Sequence, residues 1–145
     1  MYSHILFPTD GSECADAALD HAIDHAKRHD ATLQALYVAD VREVGHAAPA
    51  VSPGRVRDAL YESGQGVLER VASKAQDAGV DVQTTVTEGT PESEILEFAG
   101  RDDVDLVVMG THGRSGLDRY LIGSVAERVV RSSPVPVLTV RHKES

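Results

Sequence analysis

The chain has 145 residues, 41% of them hydrophobic, with 23 acidic side chains against 14 lysines and arginines and a formal net charge of −9. That is the size of one domain with a sizeable core, and no stretch approaches the ~20 apolar residues of a membrane span. The acidic balance argues against non-specific nucleic-acid binding, which needs a basic stripe to neutralise phosphates.

Taken in order, Ser3–Thr9 predicts a first strand centred on Ile5, Leu6 and Phe7, ending at Pro8, which has no N–H for a ladder. The start, MYSHILFPTD, shows neither a basic leader nor a cleavage site, so a cytoplasmic location is expected. Asp10-Gly11-Ser12 then turns the chain, with Ser12 placed to cap a helix running to about Arg28. Leu19, Ala22, Ile23 and Ala26 fall on one face of that helix, and His21, His25 and His29 on another. Histidines four apart sit side by side and can capture a metal, but nothing completes a closed site and a solvated face is expected. Cys14 is the only cysteine, which excludes an internal disulfide and fits a reducing compartment; close behind Asp10 it reads as a redox thiol or, in preference, as a small helix-packing residue.

Ala31–Val38 predicts the second strand. The segment Gly45–Gly54, rich in Ala, Pro and Gly, predicts a loop that can lie over a ligand as a lid or do nothing. Arg55–Gly79 predicts a long helix with Val56, Leu60, Val67, Leu68, Val71 and Ala75 as its apolar stripe and Gly79 as its stop. Gly64 and Gly66 interrupt that helix and point to a kink or a close contact. Val80–Thr87 alternates as an edge strand does, and Thr90-Pro91-Glu92 opens a short helix through Ile95, Leu96, Phe98 and Ala99.

The most informative stretch is Val104–Val130. An apolar run to Met109 stops at Gly110, as a strand buried on both faces does. Gly110, Gly113 and Gly116 follow, interleaved with Thr111, His112, Arg114 and Ser115, a composition that lets N–H groups turn inward as an anion nest. Gly123 then precedes Ser124-x-x-Glu127, a capping-box pattern that starts a helix carrying Val125 and Ala126 in its first turn. Strand, glycine loop and helix N-terminus in that order suit a phosphate, with Arg114 available as a charged partner. Ser132-Ser133-Pro134 ends the helix, and Val135–Val140 predicts a last strand.

Gly110-x-x-Gly113, nine residues, then Gly123-Ser124 resembles the nucleotide-binding signature of the universal stress protein family, in its ATP-binding branch. The resemblance covers essentially the whole chain. It implies an open five-stranded parallel sheet in the order 3-2-1-4-5 with helices on both faces, a Rossmann-like α/β fold, whose alternating strands and helices the sequence shows independently. It further implies that Pro8-Thr9-Asp10 borders the nucleotide, with Asp10 accepting from the ribose and Val38 beside the adenine. Gly110, Gly113, Gly123, Ser124 and the N–H groups of Val125 and Ala126 would hold the phosphates, with Thr111, His112, Arg114, Ser115 and Gly116 lining the nest. Read from residues alone, Asp10 is equally an Asx-turn acceptor.

By the same resemblance the ligand is ATP, with Mg²⁺ or Mn²⁺ carried on the phosphates, and the chain forms a homodimer through its last strand. A nucleotide-regulated binding module in the stress response is expected, with no obvious catalytic base; a slow ATPase in which His112 or Asp10 assists phosphate chemistry is the alternative. The rival glycine patterns do not fit. No Gly-x-Gly-x-x-Gly follows the first strand, no Gly-Lys-Ser/Thr ends a phosphate loop, and Gly113-Arg114-Ser115-Gly116 is not an esterase elbow.

Overall fold

The computed structural model describes residues 1–42, 52–101, 103–112 and 122–142. In chain order these form β1 (His4–Pro8), α1 (Glu13–His29), β2 (Thr32–Asp40), α2 (Pro53–Asp77), β3 (Val82–Gly89), α3 (Pro91–Ala99), β4 (Leu106–Gly110), α4 (Ser124–Ser132) and β5 (Val137–Val140). The strands make one parallel sheet in the order β3-β2-β1-β4-β5, as expected.

Alternation along the strands decides which helix each side chain meets. Ile5, Phe7, Leu33, Ala35, Tyr37, Leu106 and Val108 point to one face and pack with Leu19, Ala22 and Ala26 of α1 and Val67, Leu68, Val71 and Ala75 of α2. Leu6, Leu36, Val107 and Met109 point to the other and meet Ile95, Phe98 and Ala99 of α3 and Ala126 and Val129 of α4. All five residues of β4 are buried, which is why this strand reads as an unbroken apolar run. Ile5, Leu6, Phe7, Leu33, Leu36, Val107 and Val108 are fully buried, each worth about 1.5–3 kcal/mol of removal from water.

Five local features differ from, or sharpen, the sequence reading. The long helix starts earlier than expected, because Ser52 caps it by accepting from the Arg55 N–H at 3.3 Å and Pro53 supplies a pre-set first residue. Pro53 and Gly54 therefore belong to α2 with Ser52 as its cap, and the rest of the 45–54 stretch lies outside the described residues. Within α2, Gly64 packs on the Tyr37 ring, where a Cβ would come within 2.5 Å, while Gly66 faces open space. The helix stops at Gly79, whose φ of +79° suits glycine, and the Val80 N–H returns to the Ala75 carbonyl at 2.9 Å.

At the other end, β5 begins at Val137 rather than Val135. Pro134 and Pro136 have no N–H, and the Val135 N–H goes to Ser133 Oγ at 3.2 Å instead of a ladder. The histidine face of α1 is less solvated than expected. His21 is exposed, but His25 and His29 are half-buried with parallel rings 6.3 Å apart, and Tyr2 lies edge-on to His29. Among the described residues no three histidine, cysteine or acidic side chains are placed to hold a metal ion, and no helix is long and apolar enough to cross a membrane.

Candidate functional site at the carboxyl ends of β1 and β4

From β1 the chain passes to β2 on one side, while β4 pairs with β1 on the other, through Ile5↔Leu106 and Leu6↔Val107. The sheet thus has its topological switch between β1 and β4, and in open α/β sheets the crevice beyond the carboxyl ends at such a switch is where ligands bind.

The β1–α1 turn forms one wall. Pro8 is the last ladder residue, opposite Leu36, and the Thr9 N–H still reaches the Leu36 carbonyl at 2.9 Å. Three side-chain acceptors then satisfy the backbone in sequence. Thr9 Oγ1 accepts from the Gly11 N–H at 3.1 Å, Asp10 Oδ1 from the Ser12 N–H at 2.9 Å, and Ser12 Oγ from the Ala15 N–H at 3.2 Å. Gly11 sits at φ +78°, where a side chain would be strained. Asp10 is therefore an Asx-turn residue in this fold, whatever else it contacts. Val38 lies on β2 two positions beyond Leu36, half-buried against the α3/α4 side of the core, beside the Pro8–Asp10 stretch.

The opposite wall is the end of β4. Gly110 lies directly against the first turn of α1: a Cβ here would sit 2.9 Å from Cys14 Sγ and 3.0 Å from both the carbonyl carbon and oxygen of Cys14. This glycine exists to let α1 approach β4, and its φ is not in the left-handed region. Cys14 is buried beneath the site, its Sγ 3.5 Å from the Val140 carbonyl oxygen and 3.7 Å from Thr111 Oγ1. Thr111 donates its N–H to the Val140 carbonyl at 3.1 Å, and its hydroxyl is 3.1 Å from His112 Nδ1.

The helix side is closed by Gly123, whose N–H binds the Thr111 carbonyl at 2.7 Å. Here too glycine answers to space rather than to φ, which is −68°: a Cβ would lie 3.0 Å from Thr111 O and 3.4 Å from His112 Cα. Gly123, not Ser124, is the N-cap of α4, and no side chain caps the helix. The expected capping box is thus absent. Ser124 is already the first helical residue, so its hydroxyl is exposed in the first turn rather than folded back on it. The first bond of the helix runs from the Glu127 N–H to the Gly123 carbonyl, which leaves the N–H groups of Ser124, Val125 and Ala126 without intrahelical acceptors at the positive end of the dipole.

Of the residues singled out in the sequence, Pro8, Thr9, Asp10, Val38, Gly110, Thr111, His112, Gly123, Ser124, Val125 and Ala126 come together around this crevice. Gly113, Arg114, Ser115 and Gly116 lie outside the described residues. Cys14 is the member that sequence reasoning did not place here. Only its position two residues past Ser12 hinted at it, since its contact with Gly110 exists only once α1 has folded back onto β4.

The profile of the universal stress protein family matches residues 1–141. The chain belongs to the universal stress protein family. The universal stress protein MJ0531 of Methanocaldococcus jannaschii is 43% identical over 141 residues, spanning 97% of this chain and 83% of that protein. Among solved structures, the protein MJ0577 of the same organism superposes with a TM-score of 0.88 at 34% identity, covering 100% of this chain and 99% of the other. A universal stress protein solved in complex with cAMP superposes with a TM-score of 0.74 at 27% identity, covering 99% of each chain.

Proposed function

We propose that this universal stress protein is an ATP-binding, nucleotide-regulated binding module of the stress response, acting in the cytoplasm as a homodimer. The observation that carries the reading is the uncapped first turn of α4. It opens against the end of β4 at the switch point, with three N–H groups free of intrahelical acceptors and no acidic side chain capping them. An anion is the ligand such a turn favours. The cAMP complex of a relative supports an adenine nucleotide as the carrier of that anion.

In this reading the N–H groups of Ser124, Val125 and Ala126 and the Ser124 hydroxyl take phosphate oxygens. Gly113, Arg114, Ser115 and Gly116 complete the nest, as the signature resemblance implies. Asp10 serves the ribose and Val38 flanks the adenine, while Mg²⁺ or Mn²⁺ travels on the phosphates with few protein ligands. β5 ends the sheet order, and pairing of two β5 strands covers an edge that would otherwise invite aggregation.

The test is calorimetric titration of nucleotide-stripped protein with ATP–Mg²⁺, in parallel with Ser124→Pro. Proline at the first helical position keeps the helix and suits the extended backbone of Gly123, at φ −68° and ψ 160°, but removes one donor and the hydroxyl. A bulkier residue at Gly123 would be a poorer probe, because it collides with the Thr111 carbonyl. The expected result is binding by the parent and at least about tenfold weaker binding by Ser124→Pro, with unchanged circular dichroism. Light scattering on the same parent sample should give twice the 15.5 kDa chain mass. Absence of heat with ATP, ADP and AMP alike would remove the nucleotide reading.

A further inference from the structure

The two edges of the sheet, β3 and β5, are built differently. β5 is four residues long and follows Pro134 and Pro136. β3 has eight residues and contains no proline, lysine or arginine, so it lacks the devices that ordinarily blunt an edge. Its register with β2 runs unbroken from Leu33↔Val82 to Asp40↔Gly89, so no bulge turns it aside. The result is a straight edge about 26 Å long.

The ladder fixes which backbone groups face outward. The Asp81 carbonyl accepts from the Leu33 N–H at 2.8 Å, so it points to β2. Successive residues of a strand alternate sides, so Gln83, Thr85 and Thr87 also turn their N–H and C=O groups to β2. Val82, Thr84, Val86 and Glu88 turn theirs outward, and among the described residues none of these groups has a hydrogen-bond partner. The side chains of Val82 and Val86 pack against the core and Thr84 is exposed, so this rim offers main chain rather than an apolar face. Its charge is one-sided. Between Val80 and Glu97 stand Asp81, Glu88, Glu92, Glu94 and Glu97, with no lysine or arginine. Arg57 pairs with Glu88 and Arg42 with Glu92, but Asp81 and Glu97 are exposed and have no ion pair among the described residues. A second copy of the chain would bring the same acidic rim and a net charge of −9 against it, whereas a basic segment is attracted.

We propose that the outer edge of β3 is a docking site for an extended, lysine- or arginine-bearing segment of a partner protein, which adds to the sheet as a further strand. The outward N–H and C=O groups of Val82, Thr84, Val86 and Glu88 supply the affinity, and the acidic side chains around them select a basic partner. The site does not rest on the nucleotide reading. It lies at the opposite edge of the sheet from β5, so pairing of two β5 strands leaves it open in both chains.

The test is amide hydrogen exchange of the nucleotide-free protein, read residue by residue by NMR. The probe is an end-capped peptide about eight residues long in which lysine alternates with valine and threonine. Without peptide, the amides of Gln83, Thr85 and Thr87 should exchange slowly and those of Val82, Thr84, Val86 and Glu88 fast. With peptide at millimolar concentration, these last four should slow by at least about tenfold while the rest of the strand is unchanged. The same peptide with glutamate for lysine, or with its backbone nitrogens methylated on the pairing side, should protect none of them, and added salt should weaken the lysine peptide. Thr84→Pro should keep the fold, because that N–H does not serve the ladder to β2, and should abolish the protection of Val82 and Val86. Unchanged exchange of the four amides with the lysine peptide overturns the proposal, as does equal protection by the methylated peptide, which needs no variant to fold. Protection without peptide that grows with protein concentration also overturns it, by giving the edge to a second copy of the chain. Because no nucleotide is present, each of these failures leaves the nucleotide reading intact.

Discussion

Replacing Gly110 by alanine separates two reasons for a signature glycine. If the glycine serves only the ligand, the nucleotide-free variant should melt like the parent and lose affinity alone. The geometry says otherwise. The added Cβ would lie 2.9 Å from Cys14 Sγ and 3.0 Å from the Cys14 carbonyl carbon and oxygen, inside any real carbon contact. A sulfur can swing aside, but two of the three atoms are backbone in the first turn of α1, so the helix itself must retreat by several tenths of an ångström from a strand buried along its whole length. Overpacking of this kind costs about 1–3 kcal/mol, and in a domain of this size each kcal/mol lowers Tm by about 2–4 °C. Against a total stability of about 5–15 kcal/mol that is a sizeable loss. Thermal and urea denaturation of stripped Gly110→Ala should show it without any ligand. Adding Cys14→Ala should recover only the part owed to sulfur, leaving most of the destabilisation in place. A stripped Gly110→Ala protein that melts with the parent, or complete recovery in the double variant, would refute the reasoning.

The remaining predictions probe the same logic elsewhere. In α2, Gly66→Ala should raise stability by up to about 1 kcal/mol, because the site is exposed and helical, whereas Gly64→Ala should lower it because the Cβ meets the Tyr37 ring at 2.5 Å; urea midpoints measured side by side decide it. At the β1–α1 turn, Asp10→Ala should cost the stripped protein about 1 kcal/mol through the lost acceptor for the Ser12 N–H, while Asp10→Asn keeps that acceptor and the melting temperature. Any fall in ATP affinity in Asp10→Asn then belongs to the ligand contact, and unchanged melting in Asp10→Ala would show that the turn does not depend on the side chain.

Much of the fold was legible in the chain because local rules and the global arrangement agree. Ile5–Phe7 reads as the buried centre of a strand and the run to Met109 as a strand buried on both faces, and the two lie side by side at the switch of the sheet. Gly79 was legible as a helix stop because its left-handed φ is a local demand that glycine meets cheaply. The reading missed where contacts are not local. Ser124 and Glu127 carry the letters of a capping box, yet the helix begins one residue earlier. The Gly123 N–H is held by Thr111 O, and that bond between β4 and α4 fixes the entry of the chain. β5 is shorter than its apolar run because Ser133 captures the Val135 N–H and prolines flank it.

By itself the sequence determined the alternation of strands and helices, the location of the glycine-rich unit after the fourth strand, and, through its signature spacing, the family. These follow from periodicity and from residue types with narrow conformational uses, both of which are properties of short segments. Only the tertiary structure decided why individual glycines stand where they do. Gly110 and Gly123 look like flexible nest residues in a string of letters, but each has an ordinary φ and is a glycine because backbone from another segment passes within about 3 Å. The same holds for Cys14 and Thr111, which meet at the Val140 carbonyl, 126 residues along the chain from Cys14, only because β5 closes against β4. Steric and hydrogen-bond demands between segments remote in sequence leave no periodic trace in the chain, and they become readable only when the sheet has brought its carboxyl ends together.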